Sequence, residues 1–228
     1  MQRHFDDELH KLNTNLLKMA SLSEEAIHRS LEALKGRDKK LAQSVIDDDA
    51  KIDALENMID EEGIDLLALF QPMARDLRLI TTAMKINAEL ERIADLCVNI
   101  SQRTLEIADQ PLLKPLIDIP KLAENAKKMV KNSIDAFVNK DKILAREVIL
   151  SDKVSNDLRN HIMQELVDNY MTKDGSTAPR AIALLLMTRD FERISDHAKN
   201  IAEDVIYIVE AKVVKHHFNE LGDLKQGQ

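Results

Sequence analysis

The feature that most constrains this chain is a repeat. The stretch Glu91-Arg92-Ile93-x-Asp95-x-x-x-Asn99-Ile100 returns as Glu192-Arg193-Ile194-x-Asp196-x-x-x-Asn200-Ile201. Further upstream, at a shift of about 103 positions, Ser30-Leu31-Glu32-Ala33 matches Ser133-Ile134-Asp135-Ala136, and Asp38-Lys39 matches Asp141-Lys142. Ala42, Val45, Ile46, Asp49 and Leu55 match Ala145, Val148, Ile149, Asp152 and Leu158. A chain duplicated in this way folds as two copies of one design. Between its few breakers the apolar residues recur at helical spacing, which predicts helices over 5–35, 38–70, 74–109, 119–139, 141–171 and 177–215. Three long antiparallel helices with short connections make a bundle. The expected fold is therefore all-α, with two tandem three-helix bundles over 5–113 and 114–218 and a C-terminal tail over 219–228.

Composition agrees. The chain has 228 residues, with 44% hydrophobic and 32% charged, which suits a folded and well-solvated protein. Gly and Pro number 5 each, so turns are few and the elements long. Punctuation sits at the junctions. Gly36 offers a left-handed helix end and Asp38 a cap for the next helix; Asn139 and Asp141 offer the same pair in the second copy. Gly63 falls inside the second helix, where it marks a weak point or a bend.

The net charge of −8 disfavours a nucleic-acid partner, because affinity for phosphate backbones comes mainly from Lys and Arg. The sole cysteine, Cys97, lies on an apolar stripe and reads as a buried, inert thiol in a reducing compartment. The acidic N-terminus does not resemble a signal peptide, and no apolar run reaches the ~18 residues of a membrane span. These features point to the cytoplasm, with the membrane reached only through partners.

Chemistry is concentrated in carboxylates. On the third helix, Leu79, Ala83, Ile86, Leu90, Ile93 and Cys97 form the apolar stripe, and Lys85, Glu89 and Arg92 the solvated one. Glu91 and Asp95 fall on a third strip at the edge of the buried face, with Met84 and Ala88. Carboxylates at a core boundary are partly desolvated, which is costly unless a cation pairs with them. Asp49 and Asp53 of the second helix, matched by Asp152 and Asn156, would face Glu91/Asp95 and Glu192/Asp196 if helices two and three pack antiparallel. Such convergence attracts a hard divalent cation such as Mg²⁺, Mn²⁺, Fe²⁺ or Ca²⁺. The bland alternative is a solvated acidic surface. His197 falls on the solvated side of the last helix, and Glu25-x-x-His28 lacks a matching pair in the second copy, where Lys128 and Lys131 stand. No clear base, Gly-rich phosphate loop or nucleophile elbow is present, so a metal-dependent enzyme and a purely structural helical repeat remain as rivals to a binding protein.

Glu-Arg-Ile-Ala-Asp at 91–95 and Glu-Arg-Ile-Ser-Asp at 192–196 resemble the paired signature of the PhoU family of bacterial phosphate-transport regulators. The segments Gln71-Pro72-x-Ala74-Arg75-Asp76-Leu77-Arg78 and Asn200-Ile201-Ala202-Glu203-Asp204-Val205-Ile206-Tyr207 are similar to that family too, and the likeness runs over about 5–215. Ala94 and Ser195 stand where members often have Gly; all three are small, so close helix approach survives. The resemblance implies a cytoplasmic negative regulator without catalytic activity. Such a protein helps silence the phosphate-sensing histidine kinase and restrains the phosphate ABC transporter when phosphate is plentiful. It also implies frequent dimers, and metal ions or multinuclear iron clusters at the E-x-x-x-D motifs, here Glu91, Asp95, Glu192 and Asp196, with Asn99 and Asn200 as weaker extensions. The cofactor expected is thus a divalent or multinuclear metal, with Mn, Mg, Fe and Zn all open.

Overall fold

The computed structural model describes residues 2–211. They form six long helices: α1 (Gln2–Gly36), α2 (Lys39–Phe70), α3 (Arg75–Ile107), α4 (Asp118–Asn139), α5 (Lys142–Leu166) and α6 (Ala178–Glu210). Among the described residues there is no strand. Helices α1–α3 pack together, as do α4–α6, and the two three-helix bundles lie side by side along α3–α6 and, less extensively, α1–α4. The all-α tandem architecture read from the repeat is the one observed. The expected tail at 219–228, and the extension of the last helix beyond Ala211, lie outside the described residues.

The helix ends show how local chemistry sets the elements. Asp38 is extended and its Oδ1 accepts from the backbone N–H groups of Lys40 and Leu41 at 2.9 and 3.0 Å. Asp141 does the same for Ile143 and Leu144 at 2.8 and 3.1 Å. Both caps were legible in the sequence. The left-handed residues, however, are Arg37 and Lys140, each with φ 53°, and not Gly36 and Asn139. The helix runs one residue further in each copy. The N–H of the capping Asp then bonds back to the carbonyl of Ala33 or Ala136, at 2.9 Å in both, closing the turn.

Between α2 and α3, Gln71 is left-handed (φ 48°) and its N–H returns to the Leu67 carbonyl at 3.2 Å. Ala74 then takes φ 48°, ψ −101°, a strained conformation for a residue with a Cβ. At the end of α5 the chain widens into a π turn at Val167–Met171, where the expectation was plain α-helix to 171. Thr172 explains the change: both its N–H and its hydroxyl donate to the Val167 carbonyl, at 3.0 and 2.9 Å, fixing five-residue spacing.

The core is built from the apolar stripes. Ile80, Ala83, Ile86, Leu90, Ile93 and Cys97 of α3 are fully buried, and Phe191, Ile194, Ala198 and Ile201 do the same for α6. Burial pushes the Cys97 thiol far above its usual range, as its apolar position predicted. Gly63 serves close packing rather than a bend. It is buried within an uninterrupted α2, and a Cβ there would meet Met84 Cγ of α3 at 2.7 Å.

Candidate metal centre

Helices α2 and α3 do bring their carboxylates together. Asp49, Asp53 and Glu56 lie on one side of α2, and Glu91 and Asp95 on the facing side of α3, near enough to perturb one another. Burial pushes Glu91 up to about 7, and the charges of Asp95, Glu56 and Asp53 push it the same way. Asp49 rises to about 6 through burial and the charges of Asp53 and Asp95. Glu56 is also raised, by burial and by Asp60, Asp53 and Asp95. Arg92 opposes these shifts only weakly. The seam is thus a run of partly desolvated like charges from two helices.

The seam is longer than the sequence reading had it. Glu56 and Asp60 continue the row of Asp49 and Asp53 along α2, at spacings of three and four that keep them on one face. Asn87 of α3, one turn before Glu91, is fully buried. Its Nδ2 donates to the Glu56 carbonyl at 2.9 Å and to Asp60 Oδ1 at 3.1 Å, and its Oδ1 has no hydrogen-bond partner. That acidic row was readable in the sequence; the buried amide between the helices was not.

In the second bundle, Asp152 of α5 meets Asp196 and Glu192 of α6. Asp152 is only 7% exposed and Glu192 8%. Burial raises Asp196, and Asp152, close enough to hydrogen-bond it, raises it further. Burial and Asp196 raise Glu192. Here, unlike in the first bundle, cations are built in. Lys199 Nζ donates to Asp152 Oδ2 at 3.0 Å, and Arg159 Nη2 approaches Glu192 Oε1 at 3.4 Å. Asn156 Nδ2 also reaches Asp152 Oδ2, at 3.2 Å, while Asp152 Oδ1 is buried without a partner. At the small-residue positions, Ser195 Oγ lies 2.7 Å from Ser155 Oγ, a polar contact where the first bundle has Ala94 and Ile52.

The two asparagines of the motif do not join the carboxylates in the same way. Asn200 Nδ2 donates to Glu89 Oε2 of α3 at 3.2 Å, on the seam between the bundles. Asn99 is half-buried, and its backbone carbonyl accepts from Arg103 Nη1 at 3.1 Å. Glu89 and His197 also correct the sequence reading. They are not solvated: each side chain is 12% exposed, and His197 Nδ1 lies 2.6 Å from Glu89 Oε2. Burial would raise Glu89, but its bonds from His197 and Asn200 outweigh that and hold it below its usual range. Helical periodicity marks this face of α3 as polar, but cannot reveal that a second bundle covers it.

The residues fit a hard cation. Their donors are carboxylate oxygens with one amide oxygen, a set suited to Mg²⁺ or Mn²⁺ and compatible with iron. The α2–α3 oxygens do not close into a set of three within 4.8 Å of one another. Among the described residues, the one trio of ligand-type side chains with atoms within 4.8 Å of each other is Asp118, His161 and Glu165, which the sequence reading did not single out. It is a surface group whose carboxylates already pair with Lys121 and Lys114.

Comparison with known proteins accords with this architecture. The PhoU domain family matches residues 16–104 and again 119–205, one match in each bundle. The phosphate-specific transport system accessory protein PhoU homolog of Aquifex aeolicus is 40% identical over 217 residues, covering 95% of this chain and 98% of that protein. Homolog 2 of Thermotoga maritima is 31% identical over 221 residues, covering 97% and 94%. The crystal structure of PhoU from Pseudomonas aeruginosa superposes with a TM-score of 0.88 at 35% identity, over 91% of this chain and all (100%) of that one. The phosphate transport system regulatory protein PhoU from Streptococcus pneumoniae gives 0.85 at 25% identity, over 92% and 99%. Duplicated motif, duplicated bundle and relatives aligned along nearly their whole length lead to one conclusion: this chain belongs to the PhoU family.

Proposed function

We propose that this chain is a cytoplasmic, metal-binding adaptor that restrains phosphate uptake and the phosphate-starvation response. It would act by contacting the ATPase of a phosphate ABC transporter and a phosphate-sensing histidine kinase, and would work as a homodimer. The relatives' designation as accessory proteins of the phosphate-specific transport system supports the transport role. No helix among the described residues is long and apolar enough to cross a membrane; in this reading the membrane is reached through those partners.

The observation that carries the metal reading is the α2–α3 seam. Glu91 and Asp49, raised to about 7 and about 6, lie among further carboxylates with little opposing charge. Such a seam is relieved by a divalent cation, which would draw α2 and α3 together and fix the outer surface offered to partners. Asp49, Asp53, Glu91 and Asp95 would hold the ion in the first bundle, and Asp152, Glu192 and Asp196 in the second. Transporter ATPase and kinase should therefore co-purify with the chain when Mn²⁺ is present and be lost with a chelator or with Asp95→Ala/Asp196→Ala. Equal recovery under all conditions, with helicity unchanged, would remove metal from the account.

A further inference from the structure

We propose that the two acidic centres are not equivalent: the α2–α3 seam is the strong, multi-ion cation site, whereas in the α5–α6 seam Arg159 and Lys199 stand where cations would otherwise go. This rests on the metal reading given above and extends it.

The difference is written in matched positions. Asp49, Asp53, Glu56 and Asp60 of α2 correspond to Asp152, Asn156, Arg159 and Met163 of α5. Glu91 and Asp95 have exact counterparts in Glu192 and Asp196, but Val98 is replaced by Lys199. Six carboxylates in the first seam thus become three in the second, which also gains two basic residues. Both bases reach the carboxylates: Lys199 lies 3.0 Å from Asp152 and Arg159 lies 3.4 Å from Glu192.

Independent observations point to ligand positions in each. In the first seam, fully buried Asn87 bonds the Glu56 carbonyl and Asp60 through its Nδ2 and keeps an Oδ1 with no partner, a neutral oxygen donor one turn along α3 from Glu91. Its counterpart, Thr188, instead closes its hydroxyl onto the Leu184 carbonyl at 2.7 Å. In the second seam, Asp152 keeps a single buried oxygen, Oδ1, without a partner. The row of six carboxylates and an amide spans about three turns of α2, room for two or more ions; the second seam offers one unpartnered buried oxygen beside a resident ammonium, and takes one ion weakly. Affinity for hard cations follows ligand charge, so the gap is about ten-fold or more.

Equilibrium dialysis of the full chain against MnCl₂, with bound manganese counted by mass spectrometry, separates the centres. Glu91→Gln/Asp95→Asn should lose the tight ions and most of the metal. Glu192→Gln/Asp196→Asn should lose no more than one weak equivalent. Arg159→Glu/Lys199→Val should tighten the second centre by about ten-fold, and the milder Lys199→Gln should move it the same way; circular dichroism checks that each variant is helical. Equal losses from the two halves, or no gain when the bases are removed, would overturn the asymmetry while leaving metal binding in place. A wild-type chain that takes up no manganese would instead sink the metal reading itself, and this inference with it.

Discussion

At the scale of single residues, the caps are the clearest case of sequence dictating structure. Asp38 and Asp141 each accept two backbone N–H groups at the start of a long helix, donors that the helix's own ladder leaves over. Replacing either by Ala should cost about 1 kcal/mol, measured as a shift in the urea midpoint with an unchanged slope. An effect near zero would mean that water serves those N–H groups equally well. The caps could be read directly because capping depends on one side chain and its next three residues. The left-handed positions were less legible. Gly36 and Asn139 carried the usual signal, yet the conformation falls on Arg37 and Lys140. The helix gains a residue and seats the Asp N–H on its closing bond, which outweighs the modest cost of a left-handed Arg or Lys.

At the scale of elements, α2 and α3 form a charged seam with a pH signature. Glu91 and Asp49 have usual values of 4.5 and 3.8 and are raised in the folded chain to about 7 and about 6. Between the usual and raised values the folded chain therefore holds protons that the unfolded chain has released, and stability rises as pH falls through that window. Glu32, Asp48 and Glu89 are held below their usual ranges, so their contributions are lost only at lower pH. Metal-free protein should melt at a higher temperature at about pH 5.5 than at about pH 8, and Asp49→Asn/Glu91→Gln should flatten the difference. A melting temperature that falls over the same interval would contradict the mutual repulsion assigned to the seam. The carboxylates were legible at this scale because spacings of three and four put residues on one helix face. Arg159 and Lys199 were also in plain view as residues. Their engagement was not, because a long basic side chain can lie along its helix and deliver its charge to a neighbouring strip.

At the scale of the whole molecule, the two bundles are tied along α3–α6 by polar contacts at matched positions. Glu89 of α3 accepts from His197 and Asn200 of α6, and its counterpart Asp190 of α6 accepts from Arg103 of α3 at 2.9 Å. Lys85 adds a weaker contact to Asp204 at 3.6 Å and stands over the Tyr207 ring. The linker is held from both sides: Arg37 donates to the carbonyls of Ala108 and Gln110, and Arg180 to that of Pro111 at 3.0 Å. Duplication predicted two bundles but not which faces join them, since a polar stripe looks the same whether it meets water or a partner helix. The seam places Glu89 two residues before Glu91, and His197 directly after Asp196. Each metal-type strip therefore shares its helix, α3 or α6, with the joint between the bundles, so an ion that tightens it acts on a helix that both bundles use. Hydrogen exchange of the full chain, with and without Mn²⁺, tests this most directly. The ion should slow exchange over 49–60 and 87–95, with a smaller effect on the matched stretches of α5 and α6. Identical exchange in both conditions across α2 and α3 would contradict it.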